Sequence, residues 1–390
     1  MNLTKKQTEF VLSKFLEKPT GLNDVLEMVL NAMLYNERSE FLATNATEGN
    51  KANGYRLGKV FGQGCQLELR IPRDRQSMFS PVLLALFREQ EDYLREVSFQ
   101  LYGKGLTTRD IGEVMQTLYG RHYSKSSISN FTQSFYDQMR LWRERTLESH
   151  YLAIFIDGLQ VKVRRNGKYQ NECYYIILAL KEDYTREVIA IETLPNESAT
   201  GWRLVLQGLK ERGLQTVGLV ASDNLSGITS AVASVWKATP HQLCCVHLQR
   251  NLQARVRHQD KAELAKDLRE VLSPGVVDHT REKAMKKIGQ IKIKWKDYPK
   301  LISHIDKVPW EDYLTYLDFD HRVQRMLYTT NWIERFNRSA RRTLKVRSGL
   351  PSEESVLTLI TSVAIEKGNK KYAYPVYNFK FENKLKKRDC

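Results

Sequence analysis

The chain is poor in cysteine. Its five residues, Cys65, Cys173, Cys244, Cys245 and Cys390, are odd in number and irregular in spacing. That argues against a disulfide framework and for reduced thiols. Long apolar runs are also missing. Val82 to Phe87 and Tyr174 to Leu180 fall far short of the roughly 20 residues that cross a bilayer. The opening MNLTKKQTEF has no apolar core of signal-peptide length. There is no internal repeat and no low-complexity tract. These absences lead us to expect a soluble, cytoplasmic protein with no membrane partner. With 390 residues, 42% of them apolar, two or more compact units are expected.

Acidic residues are in deficit, with 45 against 61 Lys and Arg, a formal charge of +16. Half of that excess lies in 331–390, where 14 basic residues face 6 acidic ones. A basic surface of this size attracts polyphosphates and speeds encounter with them. A plain solubility charge is the alternative. An anionic membrane surface fits less well, because no strongly amphipathic basic helix stands out.

Residues 1–50 carry helical spacing (Phe10, Val11, Phe15; Leu26, Val29, Leu30, Met33, Leu34), broken by a polar stretch from Thr44 to Gly54. Cys65, Leu67, Leu69 and Ile71 alternate with polar residues as a half-buried strand that Pro72 should end. A helix follows from Ser80, and a second after Thr107-Thr108, with Ile111, Val114, Met115 and Leu118 inward and Gly120 as its stop. Ser124 reads as the N-cap of a third, bearing Ile128, Phe131, Phe135 and Met139. Two helices joined by a glycine-bearing turn suggest a helix-turn-helix. Lys125, Ser126, Ser127, Asn130 and Gln133 are its candidate DNA contacts, since short polar side chains suit groove reading. An ordinary helical bundle with a solvated face is the alternative.

The pattern changes at 151–246. Leu152 to Ile156, Tyr174 to Leu180 and Val188 to Ile191 read as successive strands. A helix at about Ser198 to Arg212, a strand Thr216 to Val220 and a strand Gln242 to Val246 follow, then a helix opening at His247. The order predicts a mixed α/β sheet. Residues 247–325 read as all helical, with Trp295 and Trp310 as anchors, and so as an insertion. A helix pair at 331–347 and 352–367 precedes a Lys-rich tail expected to be mobile. The domains expected are thus 1–78 (helical with β-hairpin, DNA binding or dimerisation), 79–150 (helix-turn-helix-like), 151–246 (sheet core), 247–325 (helical insertion), 326–367 (core helices) and 368–390 (basic tail).

Three carboxylates carry the chemistry. Asp157 and Asp223 are each placed at the end of a buried strand, where sites in α/β folds form, and Glu334 opens the helix after the insertion. Phosphodiester cleavage needs an activated water and a stabilised leaving oxygen, and two divalent ions about 3.5–4 Å apart supply both. Mg²⁺ takes carboxylate oxygens. Asp157 would bridge two such ions, with Asp223 and Glu334 holding one each. The bland readings are a turn at Asp157-Gly158, an N-cap at Ser222 or Asp223, and a Glu334–Arg338 surface pair. Glu334, Arg338, Arg341 and Lys345 form one helical stripe beside the apolar Ile333, Phe336, Ala340 and Leu344. Together with Arg342 and Arg347 these cations suit a phosphate track. Cys244-Cys245-Val246-His247 lacks the four ligands of a structural zinc site, even with His241 nearby.

Thr329-Thr330-Asn331, Ile333-Glu334-Arg335-Phe336-Asn337-Arg338, Arg341-Arg342 and Glu353-Glu354-Ser355 resemble the glutamate block of the Mutator-type bacterial insertion-sequence transposases. Asp157-Gly158 with Val161-Lys162-Val163, Ser222-Asp223 with Gly227, and Cys244-x-x-His247 with Arg250-Asn251 are similar to that family's other blocks, in order. The resemblance implies a ribonuclease-H-like sheet with an all-helical insertion. It implies a catalytic, metal-holding triad of Asp157, Asp223 and Glu334 with Mg²⁺, for which Mn²⁺ would substitute. His247 and Cys244 would lie near the site, His247 assisting rather than ligating, and Arg341 would touch backbone phosphate. Terminal inverted repeats and target DNA would be the double-stranded partners, bound by a homodimer or higher multimer. A non-catalytic DNA-binding regulator and a structure-selective nuclease are the rival readings.

Overall fold

A computed structural model describes residues 4–6, 9, 13, 21–44, 49–62, 65–119, 125–347 and 349–386. The chain divides into two compact units, Met1–Phe135 and Tyr136–Cys390.

The first unit pairs β1 (Ala52–Gly62) with β2 (Cys65–Asp74) as an antiparallel hairpin under the Gly21–Thr44 helix. Leu34, Leu69, Ile71 and Leu84 form its small core. The helix also closes an open edge of β2. The Glu27 carboxylate accepts from the Glu68 N–H at 2.7 Å, and the Asn31 carbonyl from the Arg70 N–H at 2.6 Å. Of the hairpin's two strands periodicity places only β2, because β1 is exposed along most of its length. Pro72 does not end β2; it pairs with Tyr55 and the strand runs on to Asp74. A two-stranded ribbon has an edge that tolerates the missing donor.

Helices Val82–Gly103, Thr108–Tyr119 and Lys125–Glu144 follow. Thr107 and Asp110 cap the second reciprocally, each side-chain oxygen accepting from the other's backbone N–H. Phe135 packs against Phe99 and Tyr102, with ring centroids 5.3 and 5.6 Å away. Asn130 and Gln133 are exposed. Gly120, the Ser124 cap and the side chains of Lys125, Ser126 and Ser127 fall outside what the structure describes.

In the second unit a five-stranded sheet runs in the order β6 (Arg186–Thr193), β5 (Lys168–Leu180), β4 (Ala153–Arg165), β8 (Val220–Ser222), β9 (His241–Leu243). β4, β5 and β6 form an antiparallel meander. β8 and β9 add in parallel beside β4. β3 (His150–Tyr151) pairs separately with β7 (Thr216–Val217), so the single strand expected at 216–220 is two short ones with different partners. Helices Ala199–Glu211 and Ile228–Val235 cover one face, burying Trp202, Leu206 and Val232 against Ile154, Ile156 and Ile177. Asn331–Leu344 and Glu353–Lys367 cover the other, where Trp332 meets Phe155 at 5.2 Å between ring centroids.

Between β9 and Asn331 the described chain is helix and turn throughout. Buried Gln242 ties that segment to the sheet, donating to the Tyr313 carbonyl at 3.0 Å and accepting from the Tyr316 N–H at 2.6 Å. Trp295 and Trp310 are buried, as their expected anchoring role requires. The tail expected to be mobile instead packs through Lys386. Phe379 and Leu385 are fully buried, and the Leu385 carbonyl lies 2.8 Å from His150 Nε2. No helix among the described residues is long and apolar enough to cross a membrane.

Gly227 holds the loop after β8 against the next layer. Its φ is +79°, and a Cβ there would sit 2.3 Å from the Ala199 nitrogen. Both the left-handed backbone and the clash oppose a side chain. Gly227→Ala should therefore cost at least about 2 kcal/mol in urea unfolding, whereas Gly208→Ala, in open space within a helix, should be neutral or stabilising by up to about 1 kcal/mol. Equal midpoints for the two variants would contradict this packing.

Candidate active site: carboxylates meeting at the sheet centre

β4 continues eight residues past Asp157, so this residue lies inside the strand rather than at its end. What ends there is its neighbour. Ile154, Ile156 and the residues between pair with Val220 to Ser222, and β8 stops at Ser222. Asp223 thus leaves the sheet level with Asp157. Alternation along β4 puts Asp157 on the same face as Phe155, towards the Asn331–Leu344 helix. That helix buries Ile333, Phe336, Ala340 and Leu344, the expected apolar stripe, and brings Glu334 in its first turn to the same place.

The Asp157 carboxylate is held on both oxygens. Oδ1 accepts from the Gly158 N–H and Oδ2 from the Asn337 amide, each at 2.8 Å. Asn337 is fully buried, and among the described residues its Oδ1 has no donor. Asp223 Oδ1 accepts from the Thr330 hydroxyl at 3.3 Å, and the same hydroxyl lies 3.3 Å from the Cys244 sulfur. Burial first, then the charge on Asp223, pushes the Asp157 carboxyl up to about 7.

His247 stands between the other two acids. Its Nδ1 is 2.7 Å from Asp223 Oδ1, out of line for a good hydrogen bond, and its Nε2 is 3.8 Å from Glu334 Oε1. Asp223 and then Cys244 stabilise the imidazolium and raise it to about 10. The helix that carries His247 opens at Cys245, two residues earlier than the sequence suggests. The Cys244 N–H bonds Ser222 across the sheet, and the Cys245 N–H bonds the Tyr328 carbonyl. Asp223, Cys244 and His247 bring an oxygen, a sulfur and a nitrogen within 4.8 Å of one another, still short of four zinc ligands. His241 is spent elsewhere, on Ser222 and Thr229.

Glu334 does not pair with Arg338. Arg250 Nη1 reaches it at 3.5 Å. The basic stripe along this helix is also divided. Arg341, Lys345 and Arg347 line a cavity of about 250 Å³ together with Lys162 of β4, whereas Arg338 lines a different one. Arg342 is exposed. Sequence reasoning singled out neither Asn337, Thr330 nor Arg250 as part of the site. The one-turn spacing of Asn337 from Glu334 was the available signal for the first.

The family described as "Transposase, Mutator family" matches residues 2–373. The transposase for insertion sequence element IS905 of Lactococcus lactis is 29% identical over 94% of this chain and 90% of its own length. That for IS1201 of Lactobacillus helveticus is 30% identical over 88% and 91%. That for IS256 in transposon Tn4001 of Staphylococcus aureus is 28% identical over 88% and 89%.

The raised Asp157 carboxyl has a consequence for stability. Its folded value lies above its unfolded one, so it favours folding while protonated, and that contribution is lost as pH rises from about 4 through about 7. In chelator, Asp157→Asn should raise stability at pH 8 by about 1 to 2 kcal/mol, with the gap closing towards pH 5. A melting midpoint at pH 8 equal to or below the parent's would refute the repulsion.

Proposed function

The chain belongs to the Mutator family of transposases, and on that premise we propose that Asp157, Asp223 and Glu334 are its catalytic triad, acting on the phosphodiester bonds at the ends of an insertion sequence. The observation that carries the proposal is the convergence of the three acids. One is mid-strand, one at the adjacent strand's end and one in a helix first turn, separated by 66 and 111 residues of chain. We read the sheet as ribonuclease-H-like. The strand order, with a three-strand meander followed by two parallel strands, supports that reading, and the helical segment after β9 is then an insertion within the core.

The donor set fits hard divalent cations. Two adjacent carboxylates, with the Asp223 charge and burial raising the proton affinity of Asp157, gain most from a shared cation, and oxygen donors suit Mg²⁺ or Mn²⁺. Two such ions, held by Asp157, Asp223 and Glu334, would supply Lewis-acid activation of the attacking oxygen and charge relief at the leaving one. The chain's own residues do the positioning. Asn337 and Gly158 fix the Asp157 carboxylate, and Thr330 fixes Asp223. His247 and Arg250 place positive charge beside Asp223 and Glu334. Lys162, Arg341 and Lys345 face the neighbouring cavity, where they suit backbone phosphates.

The reaction we infer is hydrolysis at the element's 3′ ends, followed by attack of the freed hydroxyls on target DNA. Terminal inverted repeats are the bound duplex, with the helices at 108–119 and 125–144 as the candidate readers. Because two ends must be handled together, more than one copy is expected on the DNA.

With labelled terminal-repeat DNA and Mg²⁺, the parent should yield cleaved and joined products. Asp157→Asn, Asp223→Asn and Glu334→Gln should each reduce both by at least about a hundredfold while retaining DNA binding. Variants as active as the parent would sink the assignment. Asn337→Ala should fall between, losing about 10- to 100-fold and needing more Mg²⁺ for half-maximal rate, because it acts only through Asp157. An unchanged Mg²⁺ requirement would remove it from the site.

A further inference from the structure

A second cavity, of about 540 Å³, opens beside the Asn331–Leu344 helix. Its cations are Arg186, Arg335, Arg338, Lys367 and Lys371, and no carboxylate lines it. None of the five forms an ion pair among the described residues. Five uncompensated positive charges around one hollow repel each other unless an anion is bound there.

Arg186 is the least expected of them. Its guanidinium lies 5.2 Å from the Trp332 ring centroid and 5.0 Å from that of Tyr372, between two aromatic faces. It donates only to backbone, to the Lys371 carbonyl at 3.1 Å and the Tyr374 carbonyl at 3.5 Å, and its buried Nε has no partner among the described residues. Half-burying a cation is unfavourable without a counter-charge. The two rings offset part of that cost and hold the fork rigid. At the rim Tyr374 is 73% exposed, an aromatic ring with no apolar cover, again beside cations.

We propose that this cavity binds an unpaired nucleotide of a DNA strand, its phosphate on Arg186, Arg335 and Lys371 and its base on Tyr374. Cations alone would suit a duplex backbone, but an aromatic face set in a hollow engages a base only once that base has left its stack. The hollow is of the size that accepts a small ligand. The assignment rests on charge and geometry within this cavity and does not require the acidic triad to be catalytic.

The test is fluorescence anisotropy of the full chain in EDTA, which silences the acidic site, with a labelled 12-nucleotide single strand and a blunt duplex of the same sequence. Arg335→Gln/Lys371→Gln, at two exposed positions outside the core, should weaken single-strand binding by at least about tenfold. It should also lower the salt slope by about 1.4, for two lost phosphate contacts. Tyr374→Ala should weaken single-strand binding about tenfold and leave the duplex within about twofold. Unchanged single-strand affinity in these variants, or equal losses on duplex and single strand, overturns the proposal. So does displacement of the strand by free deoxyadenosine monophosphate at the same nucleotide concentration, which would assign the cavity to a soluble nucleotide. None of these outcomes bears on cleavage at the triad.

Discussion

Asp157 and Asp223 are forced together by strand register. Ile156 pairs with Ser222, so the next residue of each strand must carry its carboxylate to the same level of the sheet. The chain then surrounds that repulsion with donors and cations: Gly158, Asn337, Thr330, His247 and Arg250. Each comes from an element whose position is set by apolar packing elsewhere. Trp332 and Phe336 seat the Glu334 helix on the sheet, and Gln242 fastens the helical segment that leads to it. A like-charged pair kept in a partly buried setting is what a site for divalent cations needs and what stability alone would remove.

The C-terminal tail belongs to the same arrangement. Phe379 lies 5.9 Å from the Trp332 ring, and Trp332 in turn stands against Phe155, two residues before Asp157. A segment that looks like a solvated basic extension is thereby part of the backing of the helix that carries Glu334. Lys367 and Lys371, together with Arg335 and Arg338, leave another side of that helix strongly positive. The one helix therefore serves three surroundings: the acids, the cavity with Arg341 and Lys345, and the cavity with Arg338.

Much of this was legible in the sequence, and for physical reasons. Buried strands of the second unit are near-continuous apolar runs, and the apolar stripe of the Glu334 helix has a clean helical period, so burial writes itself into composition. The Asp157-Gly158 pair was misplaced at a strand end because the outer half of β4, with Lys162, Arg164 and Arg165, alternates polar and apolar like a separate, exposed strand. Pattern places only β2 of the first unit's hairpin, because β1, exposed along most of its length, has no buried face to encode. Tail packing depends on two fully buried residues, Phe379 and Leu385, set among lysines, too few to form a pattern. Thr330 and Arg250 act only through long-range contacts, which no local spacing specifies, and Asn337 leaves only its one-turn spacing from Glu334.

The most direct test of the account is where a divalent cation goes. Crystals of the chain soaked in Mn²⁺ should show anomalous peaks within coordinating distance, about 2.0–2.3 Å, of oxygens from Asp157, Asp223 and Glu334. Manganese bound only elsewhere, or acids that remain bridged by His247 and Arg250 with no metal among them at saturating Mn²⁺, would contradict it.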